Sequence, residues 1–198
     1  MDLRPPPRKT NLSVRACLGH PAYPGVLRGS PRSGSVGEFV RVLANSSVVQ
    51  SDQYFAHPAR DYAQTDEALR IRTVAGGSFV TYKGPKLDAT TKTRRELELP
   101  LAETDADGSQ FAELLAALGF TPVETVRKTR REFRITHDGR EVHGALDSVD
   151  GVGTFVELEL SADDASLDAA RRVITALADQ LQLGASERRS YLELLLAK

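Results

Sequence analysis

Charged and apolar side chains alternate through residues 81–99, TYKGPKLDATTKTRRELEL, a stretch that otherwise reads as two β-strands. Side chains two residues apart on a strand share one face of the sheet, so Arg94, Glu96 and Glu98 share a face opposite two leucines. A strand with one face in solvent would explain this pattern by itself. The pattern returns in four other segments, however, and that recurrence constrains the fold.

The other segments place further ionic side chains at strand spacing. For any single strand, the simpler interpretation is a sheet with helices on its apolar face and ordinary charges in water. Taken together, cations and carboxylates recur on five strands that would lie only a few strand spacings apart. The shared faces carry Arg70 with Arg72, Lys83 with Thr81, Lys128 with Arg130, Glu132 and Arg134, and Glu157 with Glu159.

A strongly curved or closed sheet would direct these charged faces inward. Buried charge is costly unless it is paired or liganded, so a charged lumen is expected to bind a ligand of high charge. An arginine guanidinium group can donate two parallel hydrogen bonds to phosphate oxygens. Carboxylates together with phosphate oxygens complete the octahedral coordination that Mg²⁺ prefers. The pattern therefore suggests a polyphosphate with a divalent cation.

The order of predicted elements indicates an α+β fold. Short strands are joined by Asp-Gly hairpin dipeptides at 138–139 and 150–151. Helices are predicted at 109–118, at 163–184 and at 186–196, the last beginning at its first serine. Antiparallel strands with inserted and appended helices are typical of the α+β class.

The first 37 residues differ in composition from the rest. Six of the ten prolines fall at or before Pro31, without a sustained period of 2 or 3.6 residues. Residues 1–37 are therefore expected to be an irregular Pro/Gly/Arg-rich segment, and residues 38–198 one folded domain. An Arg-rich, acid-poor start can also be a transit peptide, although prolines suit an amphipathic presequence poorly.

Composition restricts the class of protein. Of the 198 residues, 40% are hydrophobic and 27% are charged, as in a globular protein. No apolar run approaches the ~20 residues of a membrane-spanning helix. The net charge of −1 argues against bulk attraction to nucleic acid. Cys17 is the only cysteine, which excludes an internal disulfide and favours a reducing compartment, so a cytoplasmic location is expected.

Five segments carry motifs in a fixed order: DQYFAHPARDYAQTDEALRIR, TYKGPK, TKTRRELEL, ALDSVDGVGTFVELEL and SERRSYLELL. Together they resemble the CYTH superfamily, the triphosphate tunnel enzymes that include class IV adenylyl cyclases and thiamine triphosphatases. The resemblance covers residues 38–196 and is nearest to the class IV cyclase-like branch. It implies an eight-stranded antiparallel barrel whose lumen binds a triphosphate with Mg²⁺ or Mn²⁺.

The resemblance also implies roles for residues that the alternation had placed on the charged faces. The family's R-x-R motif, its strand lysine and its K-x-R motif are all matched by residues of this chain. The implied catalytic residues are Lys83 and Asp147, the implied metal ligands are Glu157, Glu159, Glu96 and Glu98, and the implied triphosphate-binding residues are Arg70, Arg72, Lys83, Arg94, Lys128 and Arg130.

The first strand of the family has no match. Family members begin with an E-x-E-x-K strand that supplies metal ligands and a lysine, followed by a helix. The segment NLSVR, residues 11–15, has the right alternation but neither carboxylate. Either this strand has diverged, or the N-terminal sequence is not the family's own and the barrel is incomplete at its N-terminal strand, with fewer metal ligands.

Three functions remain open. The first is a class IV-type adenylyl cyclase, which converts ATP to cyclic AMP and pyrophosphate. The alternatives are a triphosphatase acting on tripolyphosphate, thiamine triphosphate or nucleotides, and a non-catalytic polyphosphate binder, which the missing acidic strand favours. No base-recognition pocket is evident. The expected partners are ATP or another triphosphate, with neither nucleic acid nor membrane, and a homodimer is left open.

Overall fold

One curled antiparallel sheet forms the frame of the molecule. The structure is a computed structural model that describes residues 10–17, 40–41, 47–86, 94–162 and 166–198. The strands in these ranges are β1 (Thr10–Cys17), β2 (Val40–Arg41), β3 (Val48–Ala56), β4 (Ala68–Val74), β5 (Gly77–Lys86), β6 (Arg94–Pro100), β7 (Thr121–His137), β8 (Arg140–Val149) and β9 (Gly153–Ala162).

Eight of these strands are neighbours in the order β1-β9-β8-β7-β3-β4-β5-β6, and the short β2 pairs with β7. The strand pairs are antiparallel throughout this order. Cα atoms of β1 and β6, the strands at the two ends of the order, approach to within 8 Å of each other. The sheet therefore curls until its edges nearly meet, and the predicted α+β class with an antiparallel barrel is confirmed.

Strand β1 lies inside the segment that the sequence predicts to be irregular. It pairs with β9 from Thr10 opposite Ala162 to Cys17 opposite Phe155. Of the two alternatives, a diverged strand is therefore the one observed over these residues, because the alternation in NLSVR is enough to build a strand against β9. The remainder of residues 1–37, including the stretch considered as a transit peptide, lies outside the described residues.

Four helices lie beside the sheet in the part of the chain that the structure describes. None of the helices in the described ranges is long and apolar enough to cross a membrane. The helices at Ser109–Ala117 and Leu167–Gln180 agree with the predicted ones to within a few residues at each end. Ser109 is the first helical residue and not the cap. The four helices are α1 (Tyr62–Thr65), α2 (Ser109–Ala117), α3 (Leu167–Gln180) and α4 (Tyr191–Leu196), with a 3₁₀ turn at Glu103–Asp105.

Helix α4 begins five residues later than predicted. Ser190, not Ser186, caps it, because Ser190 Oγ accepts a hydrogen bond from the Glu193 N–H at 3.1 Å. The Glu193 carboxylate in turn accepts from the Ser190 N–H at 2.6 Å. This reciprocal capping box satisfies two N–H groups that a helix start leaves unpaired, which fixes where the short helix begins.

The two longer helices cover the outer, apolar face of the sheet. Helix α3 packs on β7, β8 and β9, and α2 packs on β3 and β4. Each large aliphatic side chain buried here contributes about 1.5–3 kcal/mol. Because side chains alternate along each strand, this packing turns the charged side chains of the same strands inward. The outer core includes Phe133, Leu158, Ile174 and Leu177 on one side and Phe55, Leu69, Ile71 and Leu115 on the other.

Helix α4 packs differently, against the inner face of the sheet. Tyr191 lies in a cluster with Tyr54, Val126, Val149 and Phe155, and its ring centroid is 5.1 Å from that of Phe155. These strand residues alternate with the outer core residues, so they project to the inside of the curl. Helix α4 therefore closes the barrel at this end, and the inner face is accessible from the other.

Gly144 on β8 allows an aromatic side chain of the neighbouring strand to lie across it. Phe133 is directly adjacent on β7, and a Cβ atom at residue 144 would overlap its ring. Phe133 is buried in the core beneath α3. The glycine is therefore required by packing and not by an unusual backbone conformation.

We expect Gly144→Ala to destabilise the fold by about 1–3 kcal/mol, the usual cost of overpacking a core. The control is Gly184→Ala, because an added Cβ atom there would meet nothing within 4 Å. Urea denaturation followed by circular dichroism measures both free energies of unfolding. Equal midpoints for the two variants would contradict the packing assigned to Phe133.

Candidate functional site

Asp52 forms the first of two ionic clusters on the inner face of the sheet. Arg72 binds it through two hydrogen bonds, Nε to Oδ1 at 2.7 Å and Nη2 to Oδ2 at 2.8 Å. Arg70 Nη1 donates to Oδ2 at 3.0 Å. Burial alone would raise the pKa of Asp52, which is 1% exposed, but the two arginines outweigh it and hold the pKa at about 2. Asp52 therefore stays ionised and fixes both guanidinium groups.

Asp147 forms the second cluster, across β7 and β8. Arg130 donates to both of its carboxylate oxygens at 2.7 Å, and Lys128 Nζ donates at 3.2 Å. The Tyr191 hydroxyl of α4 adds a fourth hydrogen bond at 2.8 Å. Burial would raise the pKa of this fully buried carboxyl, but Arg130 and Lys128 lower it below its usual value. Asp147 thus ties the closing helix to two cations of the inner face.

Glu157 connects the second cluster to the N-terminal strand. Arg130 Nη2 donates to Glu157 Oε2 at 2.8 Å, and Arg15 Nη2 donates to Oε1 at 2.7 Å. The Arg15 guanidinium also lies 3.9 Å from the ring centroid of Tyr191 and donates to the Arg189 carbonyl at 3.1 Å. Both oxygens of Glu157 are therefore occupied by guanidinium groups.

Glu159, two residues further along β9, differs from Glu157 in its hydrogen bonding. It accepts no hydrogen bond from the residues that the structure describes, and it lines a cleft of about 290 Å³ together with Glu157, Arg130 and His143. Burial and the neighbouring charge of Glu157 raise the pKa of Glu159 above its usual value. A partly buried carboxylate beside another one favours a nearby cation.

Lys128 and Lys83 are cations with lowered pKa values. Burial, followed by the charge of Arg130, lowers the pKa of Lys128 to about 7, even though Asp147 opposes this shift. Burial, followed by the charge of Arg70, also lowers the pKa of Lys83. An anionic ligand would favour the protonated form of both side chains.

The predicted site residues of strand β6 lie outside the two aspartate clusters. Lys83 Nζ binds Glu96 Oε1 at 2.7 Å, and the Thr81 hydroxyl donates to Glu98 at 3.1 Å, but both glutamates are exposed. Arg94 is not joined to either aspartate cluster. Its guanidinium group instead donates to the Asp66 carbonyl at 3.3 Å, beyond the end of α1.

Two residues of the site, Asp52 and Arg15, were not predicted. Asp52 is the centre of the first ionic cluster, and Arg15 belongs to the N-terminal strand, for which the family motif has no match in this chain. Tyr191 lies where the family resemblance implies that it closes one end of the tunnel. The only signal for Asp52 is its place in an alternating strand between Gln50 and Tyr54. The predicted residues Arg70, Arg72, Lys128, Arg130, Asp147, Glu157 and Glu159 are all on the inner face.

The clusters leave hydrogen-bonding groups unused. Arg15 Nε, Arg70 Nε and Gln50 Oε1 are buried without a partner in the described part of the chain. Buried polar groups rarely stay unpaired, so these three atoms are exceptions within the described part of the chain. No group of three or more His, Cys, Asp or Glu in the described ranges is spaced to hold a metal by itself. Glu157 and Glu159 are the two predicted metal ligands that lie two residues apart on β9, and Glu157 is already paired with two arginines.

The sequence has relatives among known proteins. The sequence profile of the CYTH domain matches residues 33–191. A protein of Methanocaldococcus jannaschii, named as a candidate adenylate cyclase, is 38% identical over 150 residues, which span 73% of this chain and 80% of that protein. The adenylate cyclase CyaB of Aeromonas hydrophila is 31% identical over 147 residues, 72% of this chain and 70% of that protein.

Solved structures share the fold. A protein from Pyrococcus horikoshii has a TM-score of 0.74 at 34% identity, covering 94% of this chain and 98% of that one. A Hippeastrum protein, described as a candidate adenylyl cyclase with a dominant triphosphatase activity, has a TM-score of 0.58 at 16% identity over 96% of both chains. Since the profile matches most of the sequence and both relatives exceed 30% identity, this chain belongs to the CYTH domain family.

Proposed function

We propose that this chain is a class IV-type adenylyl cyclase, which binds ATP with a divalent cation on the inner face and releases cyclic AMP and pyrophosphate. One observation carries the proposal: four cations are held in fixed positions around two buried aspartates. Relatives named adenylate cyclases support the type of reaction. The four cations are Arg70, Arg72, Lys128 and Arg130.

The phosphates would bind donors that the aspartates leave free. A guanidinium group has five N–H donors, and Asp52 uses only two of those on Arg72 and one on Arg70. The buried Nε groups of Arg15 and Arg70 have no partner among the described residues. A triphosphate can therefore bind without displacing the aspartates, which keep the guanidinium planes oriented.

Mg²⁺ or Mn²⁺ would be held by Glu159, with Glu157 adjacent and phosphate oxygens supplying further ligands. When bound, such an ion neutralises phosphate charge during the transfer. Glu157 would first have to exchange one of its arginine partners, so Glu159 is the more available ligand. Glu96 and Glu98 are paired with Lys83 and Thr81 on the exposed strand β6. Their assignment as ligands stays a prediction.

In the proposed reaction the ribose 3′-oxygen attacks the α-phosphorus, its proton is lost, and the bond to the pyrophosphate oxygen breaks. The protein contributes mainly by positioning and by neutralising charge. Asp147 acts as a positioning residue, because it orients Arg130 and Lys128. Lys83 stays the predicted catalytic residue, and burial together with the charge of Arg70 lowers its pKa.

A triphosphatase is the second candidate, favoured by the structural neighbour from Hippeastrum with a dominant activity of that kind. Water would then attack the terminal phosphorus in the same site. The third candidate, a non-catalytic polyphosphate binder, is favoured by β1. Asn11 and Ser13 stand opposite Ser161 and Glu159 there, at the positions of the glutamates of the family motif. A cytoplasmic location and a homodimer also stay predictions.

The proposed activity is tested by incubation with ATP and Mn²⁺ or Mg²⁺, with products separated by anion-exchange chromatography. We expect cyclic AMP and pyrophosphate, and we expect Glu159→Gln to abolish metal-dependent turnover because it removes the available carboxylate ligand. Glu113→Gln on the exposed side of α2 is the control. Phosphate release from tripolyphosphate without cyclic AMP would favour the triphosphatase, and binding without turnover would favour the third candidate.

The inner-face cations are tested by titration calorimetry with tripolyphosphate. Arg72→Ala and Lys128→Ala should each weaken binding by about 1.5–3 kcal/mol, the range for hydrogen bonds to charged groups. Arg95→Ala is the matched control, because Arg95 is exposed on the opposite face of β6. Unchanged affinity in both inner-face variants would mean that phosphates do not bind there.

Binding should also take up a proton above neutral pH. With a pKa of about 7, Lys128 is mostly neutral at pH 8 in the free protein, and a bound phosphate would raise that pKa. Affinity should therefore fall as pH rises above about 7. Calorimetry at pH 8 in two buffers of different ionisation enthalpy measures the uptake, which Lys128→Met should eliminate. Equal enthalpies in both buffers would contradict this role.

A further inference from the structure

Three side chains form one row across the 290 Å³ cleft of the inner face. Arg134 on β7 is directly opposite His143 on β8, and His143 is directly opposite Glu159 on β9. Directly opposite residues of antiparallel strands have Cβ atoms about 4.5–5.5 Å apart and share one face of the sheet. His143 and Glu159 are therefore close enough to bind the same small ion.

Neither side chain of this pair is held tightly by another group of the described residues. Glu159 accepts no hydrogen bond from them, whereas both oxygens of Glu157 are occupied by arginines. The His143 side chain is 56% exposed, and its only ionic neighbour in the described ranges is Glu141, whose Oε1 lies 3.5 Å from Nε2. An imidazole nitrogen and a carboxylate are thus available side by side.

Glu141 is placed to orient the imidazole ring. A histidine that binds a metal usually donates its other ring N–H to a carboxylate or a carbonyl group. The distance of 3.5 Å between His143 Nε2 and Glu141 is longer than a formed hydrogen bond, but a small rotation of the ring would close it. Glu141 is itself held by Arg134, whose Nη1 donates to it at 2.9 Å. With Nε2–H directed to Glu141, Nδ1 of His143 would be the nitrogen that binds an ion.

We propose that His143 binds the divalent ion together with Glu159, and that this pair makes the site prefer Mn²⁺ to Mg²⁺. Imidazole is a ligand for first-row transition ions, whereas Mg²⁺ takes oxygen ligands in a near-ideal octahedron. The inference rests on the proposed function, because phosphate oxygens and water must complete the coordination of an ion that has only two protein ligands.

The proposal is tested by electron paramagnetic resonance on the full chain with Mn²⁺ and tripolyphosphate. Electron spin echo envelope modulation detects a nitrogen nucleus bound to Mn²⁺, and tripolyphosphate contains no nitrogen, so any such signal comes from the protein. His143→Gln removes the proposed ligand. His137→Gln is the matched control, because His137 is on the same hairpin but alternates with the inner-face residues of β7. Titration with Mg²⁺ measures how readily the bound Mn²⁺ is displaced.

We expect the nitrogen signal in the unmodified protein and in His137→Gln, and its loss in His143→Gln. In that variant Mg²⁺ should displace Mn²⁺ at a concentration about tenfold lower. Bound Mn²⁺ without a nitrogen signal, or a signal that persists in His143→Gln, would overturn the role of His143 and leave the proposed function standing. Tripolyphosphate binding without any bound Mn²⁺ would overturn it too. If calorimetry detects no tripolyphosphate binding with or without Mn²⁺, the proposed function fails and this inference fails with it.

Discussion

The inner face depends on keeping two aspartates ionised inside a curled sheet. Removing a carboxylate from water is costly, and only close, well-oriented cations repay that cost. Asp52 and Asp147 each receive a bidentate arginine and at least one further cation. Removing one member of such a cluster would leave buried charge unpaired, at a cost of about 3–5 kcal/mol. The strands that carry these cations are therefore held in one register.

The same clusters link the barrel to its closing helix. Tyr191 donates to Asp147 and stacks against Arg15, while Arg15 bonds to Glu157 and to the backbone before α4. Helix α4 has only six residues and would not be stable alone. Its position follows from one capping box, an apolar contact with Phe155 and these polar contacts. The position of helix α4 at the closed end of the barrel therefore depends on the contacts that Tyr191 and Arg15 make with Asp147 and Glu157.

Sequence alternation predicts which residues face inward, but it does not predict their partners. Arg70 and Arg72, or Lys128 and Arg130, share a face because they are two residues apart on one strand, and the structure agrees. Asp52 is different, since it lies 18 residues before Arg70, and only the pairing of β3 with β4 brings them together. The start of α4 was misplaced because two serines offered caps, and only one has a glutamate three residues later.

Strand β1 shows how a departure from a family pattern can keep the fold and change the charge. Backbone pairing with β9 needs alternation but no carboxylate, so NLSVR completes the wall. Arg15 stands at the last position of the family motif and neutralises Glu157, which the resemblance assigns to the metal. The same strand brings a cation and no acidic side chain to this wall, so the proposed site has fewer carboxylates for a metal than the family motif implies. Affinity for the triphosphate should thus depend less on the divalent cation than turnover does.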